Sequence, residues 1–377
     1  MLKPFFFTVL VLVSLHSHAN PTDSLENALK TAKGEFKVKT LNELFRLYIN
    51  SDPVRAIGYT REGLTIASEI NDLKGMAASY NNLGIAYRNQ GALDKGLEYY
   101  LVSLRIYENL KNTEGIATTK NNIGTIYSLK KDYGQAMKYF EDSYQQFSEI
   151  NDKQKIIGSL NNLGNLHSDL QLYEQALKYY SQAWQMSEQI HKINSDPLNN
   201  IGNLYFRQGN YQRAVEYYTR ALRLAKKEND QTLVLNILAN LGEVYSKASQ
   251  GAKAQFYFDS ATRLCKEMQA YVYEPQLFKN MAGNYARQGK TKEAYEMMVS
   301  YDKAKEKIYG EESSRKIAQM EIALDLQEKE KEVEALKKDS TIQALELRNT
   351  RMVITLIVMA VIVALALFNL FWHRKKN

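Results

Sequence analysis

Along most of the chain, apolar side chains recur every three or four residues, the period of an amphipathic helix. Leu83 and Tyr87 open one such stripe and Leu97, Tyr100 and Leu104 carry the next, with the turn-rich run RNQGALD between them. Each such stretch therefore predicts two helices joined by a short turn. The unit then returns: Gly84, Gly124, Gly164, Gly202 and Gly242 are spaced 40, 40, 38 and 40 residues apart, and Ala282 follows after another 40. Three residues after each small residue comes Tyr87, Tyr127, His167, Tyr205, Tyr245 or Tyr285. Twelve residues after it comes Gly96, Ala136, Ala176, Ala214, Ala254 or Ala294, and four further on Tyr100, Phe140, Tyr180, Tyr218, Phe258 or Met298. Glycine inside a helix costs about 0.5–1 kcal/mol relative to alanine. Five glycines in one register therefore predict a close approach of the partner helix, with the large aromatics filling the space between repeats.

This spacing resembles the tetratricopeptide repeat, whose signature is L-G-x2-Y followed by A-x3-F. The resemblance implies an all-α solenoid, because a single helix pair cannot bury its apolar face and must stack, which produces a curved array with a concave surface. The usual repeat is about 34 residues; longer helices would absorb the extra length here. A degenerate first copy at Asn42, Leu44 and Ala56 brings the count to seven repeats over residues 41–308, after a capping segment at 20–40. Repeat ends are marked by Asn71-Asp72, Asn151-Asp152 and Asn229-Asp230, since Asn tolerates the left-handed conformation that closes a helix. The short interval falls at HKINSDPLNN, read as a trimmed loop in which Ser195 or Asp196 caps a helix with Pro197 in its first turn.

Two residues before each small residue stands an asparagine: Asn42, Asn82, Asn122, Asn162, Asn200, Asn240 and Asn280. Asn81, Asn121, Asn161 and Asn199 add a second. Asn is a poor helix former, so seven in register need a cause. In tetratricopeptide repeats this position of the first helix faces the concave groove, where Asn commonly grips an extended peptide; an amide can donate and accept together. Groove candidates one turn on are Arg88, Asn89, Asn165, Asp169, Asn203, Arg207, Lys247 and Arg287. The same amides could instead bond between adjacent repeats and only hold the stack; the groove role is the expectation.

The ends of the chain add a topology. Lys3, the apolar run Phe5–Val13 and the small-residue site Ser17-His18-Ala19 predict a signal peptide at 1–19. Residues 352–372, Met352 to Trp372, are interrupted only by Thr355 and Asn369, enough to cross a bilayer. His373-Arg374-Lys375-Lys376 follow at once, which places the 373–377 tail on the cytoplasmic side. The body is thus expected to be exported, in the periplasm, as a single-pass membrane protein. Between repeats and span, residues 309–351 lack further glycine or proline after Gly310 and are rich in Glu and Lys. Ile317, Met320, Leu324, Val333, Leu336, Ile342 and Leu345 predict a helical stalk. A dimeric coiled coil through it is expected, with a lone charged helix as the alternative.

Charge and chemistry narrow the class. The net charge is +7 from 49 basic and 42 acidic residues. Lys3, Arg374, Lys375 and Lys376 lie outside residues 20–351, leaving 45 against 42, or +3; such a body gives no case for nucleic acid. Cys265 is the only cysteine, so stability is expected from burial rather than a disulfide. Beyond residue 20 and before the tail there are two histidines, His167 and His191, too few for a triad or a zinc motif. His167 holds a position that is Tyr elsewhere and reads as packed core. GNYARQGKT at 283–291 imitates a phosphate loop but has Asn284 at its first glycine position, and reads as a repeat turn. No enzyme activity, cofactor or metal is expected.

The order of parts resembles the exported sensor half of bacterial tetratricopeptide-repeat sensor histidine kinases. That resemblance implies an envelope receptor or interaction module taking a peptide or protein partner, acting with a separate signalling partner. The sequence departs from it by stopping at Asn377 without a kinase module. A truncated sensor kinase and a passive envelope assembly scaffold are the alternatives.

Overall fold

The computed structural model describes residues 21–190 and 194–376; the expected signal peptide and His191 lie outside them. After α1 (Pro21–Leu29) come seven helix pairs. They are α2 (Gly34–Tyr48) with α3 (Pro53–Glu69), α4 (Leu73–Asn89) with α5 (Leu93–Asn109), and α6 (Thr113–Leu129) with α7 (Tyr133–Glu149). Next are α8 (Lys153–Asp169) with α9 (Tyr173–Gln189), α10 (Asp196–Arg207) with α11 (Tyr211–Lys227), and α12 (Gln231–Lys247) with α13 (Gly251–Glu267). A 3-10 turn, η1 (Tyr271–Tyr273), precedes the last pair, α14 (Glu274–Arg287) with α15 (Thr291–Tyr309). No strand occurs among the described residues. Each helix packs on its pair mate and on the next pair. The first pair starts at Gly34, inside the segment assigned to the cap.

Most helices are 17 residues long and separated by three-residue links, which is how a 40-residue period is filled. The links share one geometry. A residue with positive φ ends most helices: Asn71, Asn151 and Asn229, but also Lys111, Lys131, Gln171 and Ser249, or a glycine such as Gly91. The next helix is then often capped by Asp or Asn. Asp72 accepts from the Gly75 N–H at 2.8 Å, Asn112 from Gly115 at 2.8 Å and Asp230 from Leu233 at 2.9 Å, satisfying one of the orphan donors of the first turn. At the shortened repeat, α10 has 12 residues with Ser195 as N-cap and Pro197 in the first turn. The cap bond there comes from Asn194, whose Oδ1 accepts from the Asp196 N–H at 2.9 Å.

The recurring glycines lie under aromatic rings of their own pair. A Cβ on Gly84, Gly124, Gly164, Gly202 or Gly242 would come within 2.5–2.8 Å of Tyr100, Phe140, Tyr180, Tyr218 or Phe258. The same rings reach the following repeat: Tyr100 packs with Ile123 and Ile126, and Phe140 with Leu163 and Leu166. A second aromatic column runs beside the first. Tyr87 stacks on Tyr99, Tyr127 on Tyr139, Tyr205 on Tyr217 and Tyr245 on Tyr257, with centroids 5.4–5.6 Å apart. His167 takes the same place over Tyr179 at 4.9 Å, its Nδ1 2.8 Å from the Leu163 carbonyl, so it is a packed ring.

At the N-terminal end, Glu26 of α1 accepts from the hydroxyls of Tyr48 and Tyr59 and pairs with Arg55 at 2.6 Å. The Arg55 guanidinium lies over both tyrosine rings. These partners hold the Glu26 carboxyl below its usual range, the Tyr48 hydrogen bond most strongly. At the other end α16 (Glu311–Lys376) is one continuous helix. Residues 318–377 form a unit of their own. The Leu336–Leu365 part of α16 contains an 18-residue stretch of mean hydropathy 1.7, long and apolar enough to cross a membrane by length and composition.

Candidate functional site

The first helices of successive pairs lie side by side, so residues three, six and seven positions after the ladder asparagine align across repeats. Over α6, α8, α10 and α12 they line a groove pocket of about 450 Å³. Six of the expected groove residues meet there: Asn162, Asn165, Asp169, Asn203, Arg207 and Asn240. Asp169 and Glu243 supply its acidic groups. Arg207 is paired with Asp169 at 2.7 Å across a repeat boundary, which leaves Glu243 as the second carboxylate of the wall.

The floor of the pocket is built by the ring-on-glycine packing. The rings of Tyr180 and Tyr218 lie against Gly164 and Gly202, and both residues line the pocket. Tyr180 donates to Asn165 Oδ1 at 2.7 Å and Tyr218 to Asn203 Oδ1 at 2.6 Å. Burial pushes both phenols well above their ordinary pKa, so they stay neutral donors. An amide whose carbonyl end is held in this way keeps its N–H groups for a groove occupant. Asn165 is exposed and Asn203 half-buried.

The asparagine ladder itself is mostly engaged between repeats. Asn82 donates to Asn42 Oδ1 at 2.8 Å, Asn122 to Asn81 at 3.0 Å and Asn162 to Asn121 at 2.8 Å. Asn240 donates to Asn199 at 3.0 Å and to Asn203 at 3.2 Å. Asn82, 2% exposed, is off the open surface for this reason. One rung is missing: Asn161 Oδ1 is buried without a partner, at the repeat where the interval is 38 residues. Asn200, whose counterparts donate to that position, makes no such bond there.

The remaining candidates are scattered. Asn280 accepts from Gln276 on its own helix at 2.7 Å, and Arg287 donates to Ser246 Oγ at 2.7 Å. Arg88 bonds Asn89 at 3.1 Å, and Lys247 is exposed; none of these lines the pocket. Conversely, Thr125, Ser128, Leu129 and Phe206 do line it and were missed by sequence reasoning. They occupy the same aligned positions as Asn165, Ser168 and Asp169, so register would have found them where residue type did not. Among the described residues no group of His, Cys, Asp and Glu is arranged to hold a metal ion.

A tetratricopeptide-repeat profile matches residues 75–149 and 195–267, and a second such profile matches residues 156–196. The chain carries tetratricopeptide repeats and folds as their solenoid, the fold of a protein–protein interaction module. Solved structures share it. A Rap protein complexed with Competence and Sporulation Factor aligns with a TM-score of 0.61 at 15% identity, over 76% of this chain and 79% of that one. NprR in complex with its cognate peptide NprX gives 0.53 at 17%, over 81% and 92%. Aspartyl phosphate phosphatase F from Bacillus subtilis gives 0.54 at 16%, over 76% and 75%. At these identities the likeness is one of fold. No curated protein matches the chain in sequence.

Proposed function

We propose that this tetratricopeptide-repeat protein binds an extended peptide or unfolded protein segment across the first helices of its third to sixth repeats. One observation carries the reading: Asn165 and Asn203 stand in the groove with their carbonyl ends held by Tyr180 and Tyr218. Two preset amides one repeat apart suit an extended backbone, which offers carbonyls at regular intervals. Asp169, Arg207 and Glu243 would then select the ligand's side chains. Two structures of like fold, a Rap protein complexed with Competence and Sporulation Factor and NprR with its cognate peptide NprX, support the same class of ligand.

We read the protein further as a membrane-anchored receptor subunit, its repeats exported and its short C-terminal tail cytoplasmic, acting with a separate signalling partner. The apolar residues from Met352 to Leu365 support the anchor, and their continuity with the rest of α16 gives a path from outside to inside. Pairing of two copies through the exposed Ile322, Leu326, Val333 and Leu336 belongs to this reading.

The test is peptide capture by the detergent-solubilised full chain from a random-sequence library, repeated with Asn165→Ala/Asn203→Ala. Selected peptides should lose at least about tenfold in affinity, as expected for two lost hydrogen bonds to a backbone. Equal affinity for both proteins, or no selected peptide at all, would sink the groove assignment.

A further inference from the structure

Apart from the shortened link before α10, two described links depart from the common geometry, and these two meet. In the first pair, the α2–α3 link has no positive-φ residue, although the corresponding links carry Gly91, Lys131, Gln171, Gly209, Ser249 and Gly289. Its chain turns instead through bonds from the N–H groups of Ser51 and Asp52 to the Tyr48 carbonyl. Before the last pair, the capping Asp or Asn is replaced by Ala270, and the helix starts as the 3-10 turn η1. Ala270 has no side chain to cap the first-turn donors, which a helix start leaves without partners. The Val272 N–H of that turn donates to the Asn50 carbonyl of the α2–α3 link at 3.2 Å.

This is a backbone hydrogen bond between the first repeat and the seventh. Among the described residues, the other backbone bonds of turns and caps join positions at most five apart. The contact is tied into the last pair as well, because Lys307 of α15 lies over the Tyr271 ring at 4.1 Å.

We infer that Asn50 and Val272 form a clasp that closes the solenoid on itself and governs access to the groove; the inference rests on that groove being the binding site. With the clasp shut, the first and last repeats cannot spread, and the first helices enclose the pocket around Asn165 and Asn203. The occupant this admits is a flexible chain rather than the surface of a folded domain. The clasp also couples the groove to the last repeat. Spreading or tightening of the solenoid changes the Asn50–Val272 separation, and η1 passes the change to α15 through Tyr271 and Lys307.

The test needs no peptide, so its failure would leave the ligand assignment standing. In the full chain in detergent, Asn50→Cys/Val272→Cys should be joined by a short bismaleimide, while either single variant is not; Cys265 is buried. Separately, Asn165→Cys is labelled with a small maleimide and with a polymer-linked one. Adding Val272→Pro, which removes the donor N–H, should speed the bulky reaction roughly two- to tenfold, the factor one net backbone hydrogen bond is worth. The small reagent should react at an unchanged rate. Absence of the cross-link overturns the clasp, as does a Val272→Pro protein that keeps the wild-type helical signal and an unchanged ratio of the two rates. If Val272→Pro does not fold, the cross-link decides.

Discussion

The ring of Tyr100 lies so close to Gly84 that a Cβ on the glycine would be 2.5 Å from two of its ring carbons. Helix propensity favours alanine there by about 0.5–1 kcal/mol, but overpacking a buried ring costs about 1–3 kcal/mol. Tyr100 is fully buried and carries the contact to Ile123 and Ile126, so it has nowhere to move. Gly84→Ala and Gly124→Ala are each expected to destabilise the solenoid by about 1–2 kcal/mol, read by urea denaturation. Ala282 already occupies the same register beside Met298, so Ala282→Gly should lower stability by the propensity difference alone, about 0.5–1 kcal/mol. A stabilised Gly84→Ala protein would refute the packing argument.

Removing the ladder amides should weaken the stack. Asn122 and Asn162 each donate to the preceding repeat, at 3.0 and 2.8 Å, and alanine leaves Asn81 and Asn121 without those donors. Asn122→Ala/Asn162→Ala is expected to lose about 1–3 kcal/mol in total, visible as a lower Tm. The sequence argument alone favours unchanged stability and weaker binding for this pair. Asn165→Ala/Asn203→Ala is the complementary variant, with its main effect on binding. If the ladder variant keeps its Tm, the inter-repeat bonds contribute nothing net and the groove role of Asn162 gains.

Repeat length, helix pairing and the glycine register were legible because each follows from a periodicity of residue type. The second aromatic column was legible too, since Tyr99, Tyr139, Tyr179, Tyr217 and Tyr257 hold the same period. Its partners, such as Tyr87, also belong to the repeat signature, so one residue type serves two contacts. The links were half legible. Asn71 and Gly91 signal a left-handed residue, whereas Lys111, Lys131 and Ser249 adopt it only because the two flanking helices are fixed by packing. The direction of each ladder amide could not be read, because helical phase places Asn122 near both the groove and the adjacent repeat. Contact between Asn50 and Val272 was out of reach for a different reason: it depends on small rotations summed over six repeats, which no local pattern encodes.

Tyr100 and Tyr218 hold equivalent positions with unlike hydroxyls. Tyr218 donates to Asn203 at 2.6 Å. At the position corresponding to Asn203, the repeat of Tyr100 has Ile85, and the Tyr100 hydroxyl is buried with no partner. An unpaired buried hydroxyl costs about 1–3 kcal/mol, and Phe140 and Phe258 show that phenylalanine fits this register. Tyr100→Phe should therefore be neutral or stabilising, by up to about 1 kcal/mol, whereas Tyr218→Phe should lose about 0.5–1.5 kcal/mol. Paired urea titrations measure both, and equal losses would show that the Tyr100 hydroxyl has a partner in solution.

The same hydroxyl gives the fold an alkaline limit. Burial pushes the Tyr100 phenol up to about 12, with Arg88 opposing weakly. An unfolded tyrosine ionises near a pKa of about 10. The folded state therefore binds more protons between these values, and stability must fall as pH rises through that window. The contribution is intact below about pH 10 and declines until the folded phenol itself ionises, a total of roughly 2–3 kcal/mol for Tyr100. Tyr180 and Tyr218 are raised in the same direction by burial and steepen the loss. Tyr100→Phe cannot ionise, so its stability should exceed the wild type by a margin that widens from pH 9 to pH 11, by about 1 kcal/mol at the upper end. A constant difference across that range would mean that the Tyr100 phenol ionises alike in the folded and unfolded chains.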